Sequence, residues 1–108
     1  NVALSDMYMY FGVADIYAFQ GNRPNLRVTI DYYDIGTNRL DLQYDSTSGP
    51  YTSATGPTLT NTLTFKQYTW TVNNAYFGNR QNGGADFRIA IQGQQEWGLD
   101  TVTVWDNF

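Results

Sequence analysis

Cysteine and histidine are both missing from the 108-residue chain, and lysine and glutamate occur once each, as Lys66 and Glu96. Without cysteine there are no disulfides, thiolate metal sites or cysteine nucleophiles. Without histidine, the usual general base, the His-containing hydrolytic triads and imidazole-ligated zinc are excluded together. Strong helix formers are scarce, which argues against an all-helical fold. Positive charge is short too: six Lys and Arg stand against ten Asp and Glu, a net charge of −4 with a pI near 4.3. A nucleic-acid partner, which needs a phosphate-neutralising surface, is not expected. No apolar run approaches the roughly 20 residues that cross a bilayer, so no membrane partner is expected either. Residues 1–6 lack the charged and apolar regions of a leader, so any export signal is expected to have been removed or to belong to a larger parent chain.

What the chain does have is aromatic residues, 17% of the total with nine Tyr, together with ten Gly and many Thr and Asn. That mixture favours pleated strands joined by tight turns. At 42% hydrophobic and 15% charged the sequence is too apolar for a disordered segment, and its length suits one core. A single monomeric domain over residues 1–108 is expected.

Alternation locates the strands. Residues 26–33 put Leu26, Val28, Ile30 and Tyr32 on one face and Arg27, Thr29, Asp31 and Tyr33 on the other, and residues 39–45 put Leu40, Leu42 and Tyr44 inward. With the Gly-containing stretch 34–38 between them, these two runs read as a hairpin. Residues 7–13 read as an apolar and aromatic strand, 46–57 are expected to be a surface loop rich in Ser, Thr, Gly and Pro that carries Tyr51, and 64–72 read as a strand with Tyr68, Trp70 and Val72 on one side. A helical turn is expected at 73–77 and a loop at 78–84. Two further strands follow, at 86–91 with Phe87, Ile89 and Ile91 inward and at 97–105 with Val102 and Val104 inward. At least six half-polar strands without a crossover helix predict an all-β, antiparallel two-sheet β-sandwich of jelly-roll type.

Four segments carry a family resemblance: YMYFGVAD at 8–15, VTIDYYDIG at 28–36, LQYDS at 42–46 and FGNRQNGGADFRI at 77–89. Together they resemble a non-catalytic carbohydrate-binding module of the galactose-binding-like superfamily, found beside secreted bacterial polysaccharide-acting enzymes. The resemblance covers nearly the whole chain. It implies a jelly roll, an extracellular setting, a saccharide held by loops or a sheet face, and often a structural calcium ion. No binding residue is carried over from it.

The residues themselves nominate sites. Sugar recognition needs flat apolar faces against the C–H patches of a ring and planar polar groups for its hydroxyls. Inward-facing Phe11, Tyr32, Tyr44, Trp70 and Phe87 belong to the core, which leaves Tyr33, Tyr51, Tyr76, Trp97 and Trp105. Trp97, in a turn after Gln92–Glu96, is either a platform or packs across a loop, and Trp105 covers either a ligand or a sandwich edge. Asn79, Arg80, Gln81 and Asn82 form a polar cluster in which Arg80 either meets an acidic sugar or pairs with a nearby carboxylate. Asp6, Asp15, Asp86 and Asp100 are the candidate oxygen ligands for calcium, Asp100 because its side chain is expected at the rim of the core. In the expected hairpin Asp31 falls opposite Asp41, which could bind a cation, flank a glycosidic bond or be relieved by Arg27 and Arg39. A glycosidase also needs one carboxyl in an apolar pocket, and no such pocket is readable, so catalysis is not expected.

The expectation is therefore a non-catalytic module that tethers a secreted multidomain enzyme to its polysaccharide. The alternative is a structural or adhesion sandwich packing against neighbouring domains.

Overall fold

A computed structural model of the chain describes residues 3–4, 8–13, 20–21, 24–91 and 97–106. Eight strands are described: β1 Ala3–Leu4, β2 Tyr8–Phe11, β3 Leu26–Tyr33, β4 Arg39–Ser46, β5 Gly49–Thr58, β6 Phe65–Val72, β7 Phe87–Ile91 and β8 Gly98–Asp106. They form two antiparallel sheets in the orders β1-β8-β3-β6 and β2-β7-β4-β5. This interleaving of two four-stranded sheets is a jelly-roll sandwich, the fold class expected from alternation.

The inward faces meet as the alternation requires. Leu26, Val28, Ile30 and Tyr32 of one sheet, and Leu40, Leu42, Tyr44, Phe87, Ile89 and Ile91 of the other, are all buried in one core with Trp70, Phe77 and Trp97. Phe11 packs on that core from β2, stacked 5.2 Å from Phe87.

Three expectations are corrected. First, β3 and β4 are not a hairpin. β3 pairs with β6 and β8, whereas β4 pairs with β5 and β7, so residues 34–38 arch from one sheet to the other. Two alternating strands around a short Gly-containing link look the same in sequence whether they pair edge to edge or face each other across a core. The arch is held by Asp34, whose buried carboxylate accepts from the backbone N–H groups of Thr60 and Thr62 at 2.7 and 3.1 Å. It also accepts from their hydroxyls at 2.7 and 2.6 Å. Burial alone would raise this carboxyl; the hydrogen bonds from Thr62 and Thr60 outweigh it and hold it far below the usual carboxylate range. The link from β5 to β6 is thereby laced to the link from β3 to β4.

Second, residues 49–58 are a strand and not a loop. β5 is the outer strand of its sheet, and an edge tolerates Pro50 and Pro57, whose missing N–H groups a central strand would need. Third, residues 73–77 form no helical turn. Ala75 bridges to Ser46, Phe77 takes φ = 51°, and the N–H groups of Tyr76 and Phe77 both donate to the Asp45 carbonyl. The short helical element lies later, a 3-10 turn at Asn82–Gly84.

Candidate functional site

Among the described residues, the outer face of the sheet β2-β7-β4-β5 brings several ligand-type side chains together. Antiparallel register aligns two rows across it, Tyr10, Arg88, Gln43 and Ser53 in one, and Tyr8, Ala90, Asp41 and Thr55 in the next. Alternation sends these side chains outward because Met9, Phe11, Leu42, Phe87 and Ile89 point to the core.

Arg88 is the centre of the face. Its guanidinium carbon lies 4.0 Å from the Tyr8 ring centroid, 4.2 Å from that of Tyr51 and 5.6 Å from that of Tyr10, all within cation–π range. Nε donates to Gln43 Oε1 at 2.5 Å and Nη1 to the Tyr10 hydroxyl at 2.8 Å. Tyr51, 39% exposed, accepts from the Asn82 backbone N–H at 2.8 Å, and Tyr10 is 37% exposed. Beside them a groove of about 260 Å³ runs between Tyr8, Arg39, Asp41 and Gln43 over a floor of Ala90 and Ile91. It exists because Ala90 is the one small residue between Tyr8 and Asp41 in its row. Arg39 and Asp41 meet in a two-pronged pair, at 2.8 and 3.0 Å.

The structure brings only part of the sequence-nominated set to this face. Tyr51 and Asn82 are there, and Gln81 lies beneath. Gln81 is 3% exposed, its amide donates to the carbonyls of Gln43 and Pro50 at 3.0 and 2.6 Å, and its Oε1 has no partner among the described residues. Asn79 takes φ = 60° and donates its backbone N–H to Asp86 Oδ1 at 3.0 Å, a turn role.

Arg80 resolves toward the carboxylate. It donates from Nε to Asp45 Oδ1 at 2.7 Å and from Nη2 to the Ser46 carbonyl at 2.6 Å, and it lies 4.4 Å from the Tyr76 ring centroid. Tyr33 stands on the outer face of the opposite sheet, packed on Phe65 at 5.2 Å. Trp97 is corrected as a platform. It is 1% exposed, because it precedes Leu99 on the inward phase of β8, so no face of the indole is open for stacking.

The acidic candidates separate as well. Asp86 is fully buried and accepts from the Val13 N–H at 2.8 Å with Oδ2 and from the Asn79 N–H with Oδ1. Asp100 is exposed and not at the core rim. The register of β8 against β3 slips between Asp31 and Tyr32, which makes Asp100 the extra residue of a bulge. No three acidic side chains converge as a metal site among the described residues, and Asp6 and Asp15 lie outside them. The expected Asp31–Asp41 pair does not form, since the two stand on opposite outer faces of the sandwich. Asp31 accepts from the Gln67 amide at 3.1 Å and from the Thr101 hydroxyl.

Sequence reasoning missed Tyr8, Tyr10 and Arg88. The signal was the period-two order Tyr8, Met9, Tyr10, Phe11, hidden because both phases are apolar or aromatic. Arg88 between Phe87 and Ile89 carried the same phase information. No family model matches the chain, nor does any curated protein or solved structure.

Proposed function

We propose that this chain is a non-catalytic saccharide-binding module of a secreted multidomain protein, and that the ligand lies on the outer face of the sheet β2-β7-β4-β5. One observation carries the reading: two exposed tyrosines, a third beside them, and the planar groups of Arg88 and Gln43 share a sheet face next to an open groove. Rings supply the apolar faces a sugar stacks on, and the amide and guanidinium supply planar donors and acceptors for hydroxyls. Such a module would hold an attached catalytic domain at high local concentration on a polymer. Within the groove Asp41 is already paired with Arg39.

The adhesion alternative would use the opposite sheet, where Trp105 and Phe65 are 48% and 51% exposed. Those two residues sit at opposite ends of that face, Trp105 in the row of Arg27 and Phe65 in the row of Tyr33, about 20 Å apart along the strands. Thr29, Thr69 and Thr103 lie between them. A stable protein contact wants a contiguous apolar patch, which this spacing does not provide.

The test is a glycan array followed by calorimetry on the isolated domain with Tyr10→Ala, Tyr51→Ala and Tyr33→Ala. Each of the first two should weaken binding about tenfold or more, and the third should leave it unchanged. Equal affinity in all three would remove the site from this face.

A further inference from the structure

We infer that the cage of Tyr8, Tyr10 and Tyr51 around Arg88 selects saccharides bearing an oxyanion, a uronate carboxylate or a sulfate ester, spaced along an otherwise neutral chain. This rests on the saccharide reading of the same face and adds the ligand's charge. The other cations with ion pairs have internal partners: Arg80 with Asp45, Arg39 with Asp41 and Lys66 with Asp34. Arg88 has no carboxylate partner among the described residues. Its Gln43 and Tyr10 contacts engage two of the five guanidinium N–H groups with neutral acceptors.

A cation held this way is poised for an outside anion. The rings on Tyr8 and Tyr51 displace water from its flanks, which strengthens any charge–charge contact made there. The guanidinium fork matches the oxygen spacing of carboxylate and sulfate. Asp41, the carboxylate nearest in the next row, is neutralised by Arg39 and does not cancel Arg88. The chain's net charge of −4 sets the other limit, because a densely charged polyanion is repelled as a whole while isolated acid groups are not.

The experiment uses ligand pairs that differ only in charge: an oligosaccharide with a single uronate among neutral sugars against its methyl ester, and a galactan oligosaccharide carrying a single sulfate against its desulfated form. Calorimetry on the unmodified domain should show the charged member of at least one pair binding about tenfold or more tighter, with the advantage shrinking as salt rises. The pair that shows it identifies carboxylate or sulfate. Arg88→Gln should erase the difference between the charged and uncharged members, even where it weakens the binding of both. If that variant does not fold, the acid-to-ester ratio and its salt dependence in the unmodified protein decide alone. Equal binding of charged and uncharged members, or a preference that survives in a folded Arg88→Gln, overturns the inference and leaves the saccharide reading standing. Failure of every saccharide, neutral ones included, overturns both.

Discussion

The Arg80 guanidinium lies 2.6 Å from the carboxylate of Asp45, a side chain with no solvent exposure that also accepts the Gly78 N–H at 2.8 Å. The pair pins residues 76–86 to the end of β4, and removing Arg80 leaves Asp45 buried without its counter-charge. Wholly buried pairs lose about 3–5 kcal/mol when one partner goes. Because Arg80 is 41% exposed and water can reach the site, Arg80→Ala should cost less, about 2 kcal/mol. Chemical denaturation should report that loss, and the folded variant should bind saccharide as the parent does. Lost affinity at unchanged stability would return Arg80 to the ligand site.

Asp34 predicts the acid limb of stability. Its carboxyl is held far below its unfolded value of about 3.9, so the folded state favours the ionised form. A depressed folded pKa contributes stability above the unfolded value, and that contribution is lost as pH falls toward the folded one. The melting temperature should therefore drop from about pH 5 downward, and Asp34→Asn should flatten the slope because it no longer loses a charge there. A parent and variant with parallel pH profiles would show that the four Thr60 and Thr62 bonds do not carry the effect.

The strands were legible in the sequence wherever one phase was apolar and the other polar, as in β3, β4 and β7. Their partners were not legible, because alternation states which way a side chain points and says nothing about which strand lies alongside. Hence Leu26–Tyr33 and Arg39–Ser46 were placed correctly as strands and wrongly as neighbours. The site suffered from the same limit. Tyr51 and Asn82 were nominated by type, but their meeting with Tyr8, Tyr10 and Arg88 depends on the pairing of β2 with β7 and β7 with β4, residues far apart in sequence. Trp97 misled because the residues before it read as a turn, whereas it lies one residue before β8 and is buried in phase with Leu99.

Gly56 marks where β5 crosses the core edge and tests the strand that composition disguised. A Cβ there would meet the Leu40 carbonyl oxygen at 2.1 Å and Trp70 Cζ2 at 2.4 Å, both held in place. The Trp70 indole donates to the Thr55 carbonyl at 3.1 Å, and the Gly56 N–H donates to Asp41 Oδ1 at 3.1 Å, so neither side can yield freely. Gly56→Ala should destabilise by about 2–3 kcal/mol, in the range of overpacked cores. Gly49→Ala, with open space around its Cβ position, is the comparison for strain without a clash. Since Asp41 lines the groove, Gly56→Ala should also weaken ligand binding, which an unrelated surface change would not do.

Tryptophan emission separates the two readings of Trp97. Trp97 and Trp70 are 1% and 4% exposed, and Trp105 is 48% exposed on the sheet opposite the Tyr8–Arg88 face. Acrylamide should quench one emitter efficiently, and Trp105→Phe should remove that component along with the red side of the spectrum. With no tryptophan on the Tyr8, Tyr10 and Tyr51 face, a saccharide that releases heat on binding should leave the emission maximum where it was. Trp97→Ala should cost about 3–5 kcal/mol, as truncation of a buried indole does, without changing the affinity of the folded fraction. A ligand-induced shift that disappears in Trp97→Phe would put the ligand at β8 and against the tyrosine face.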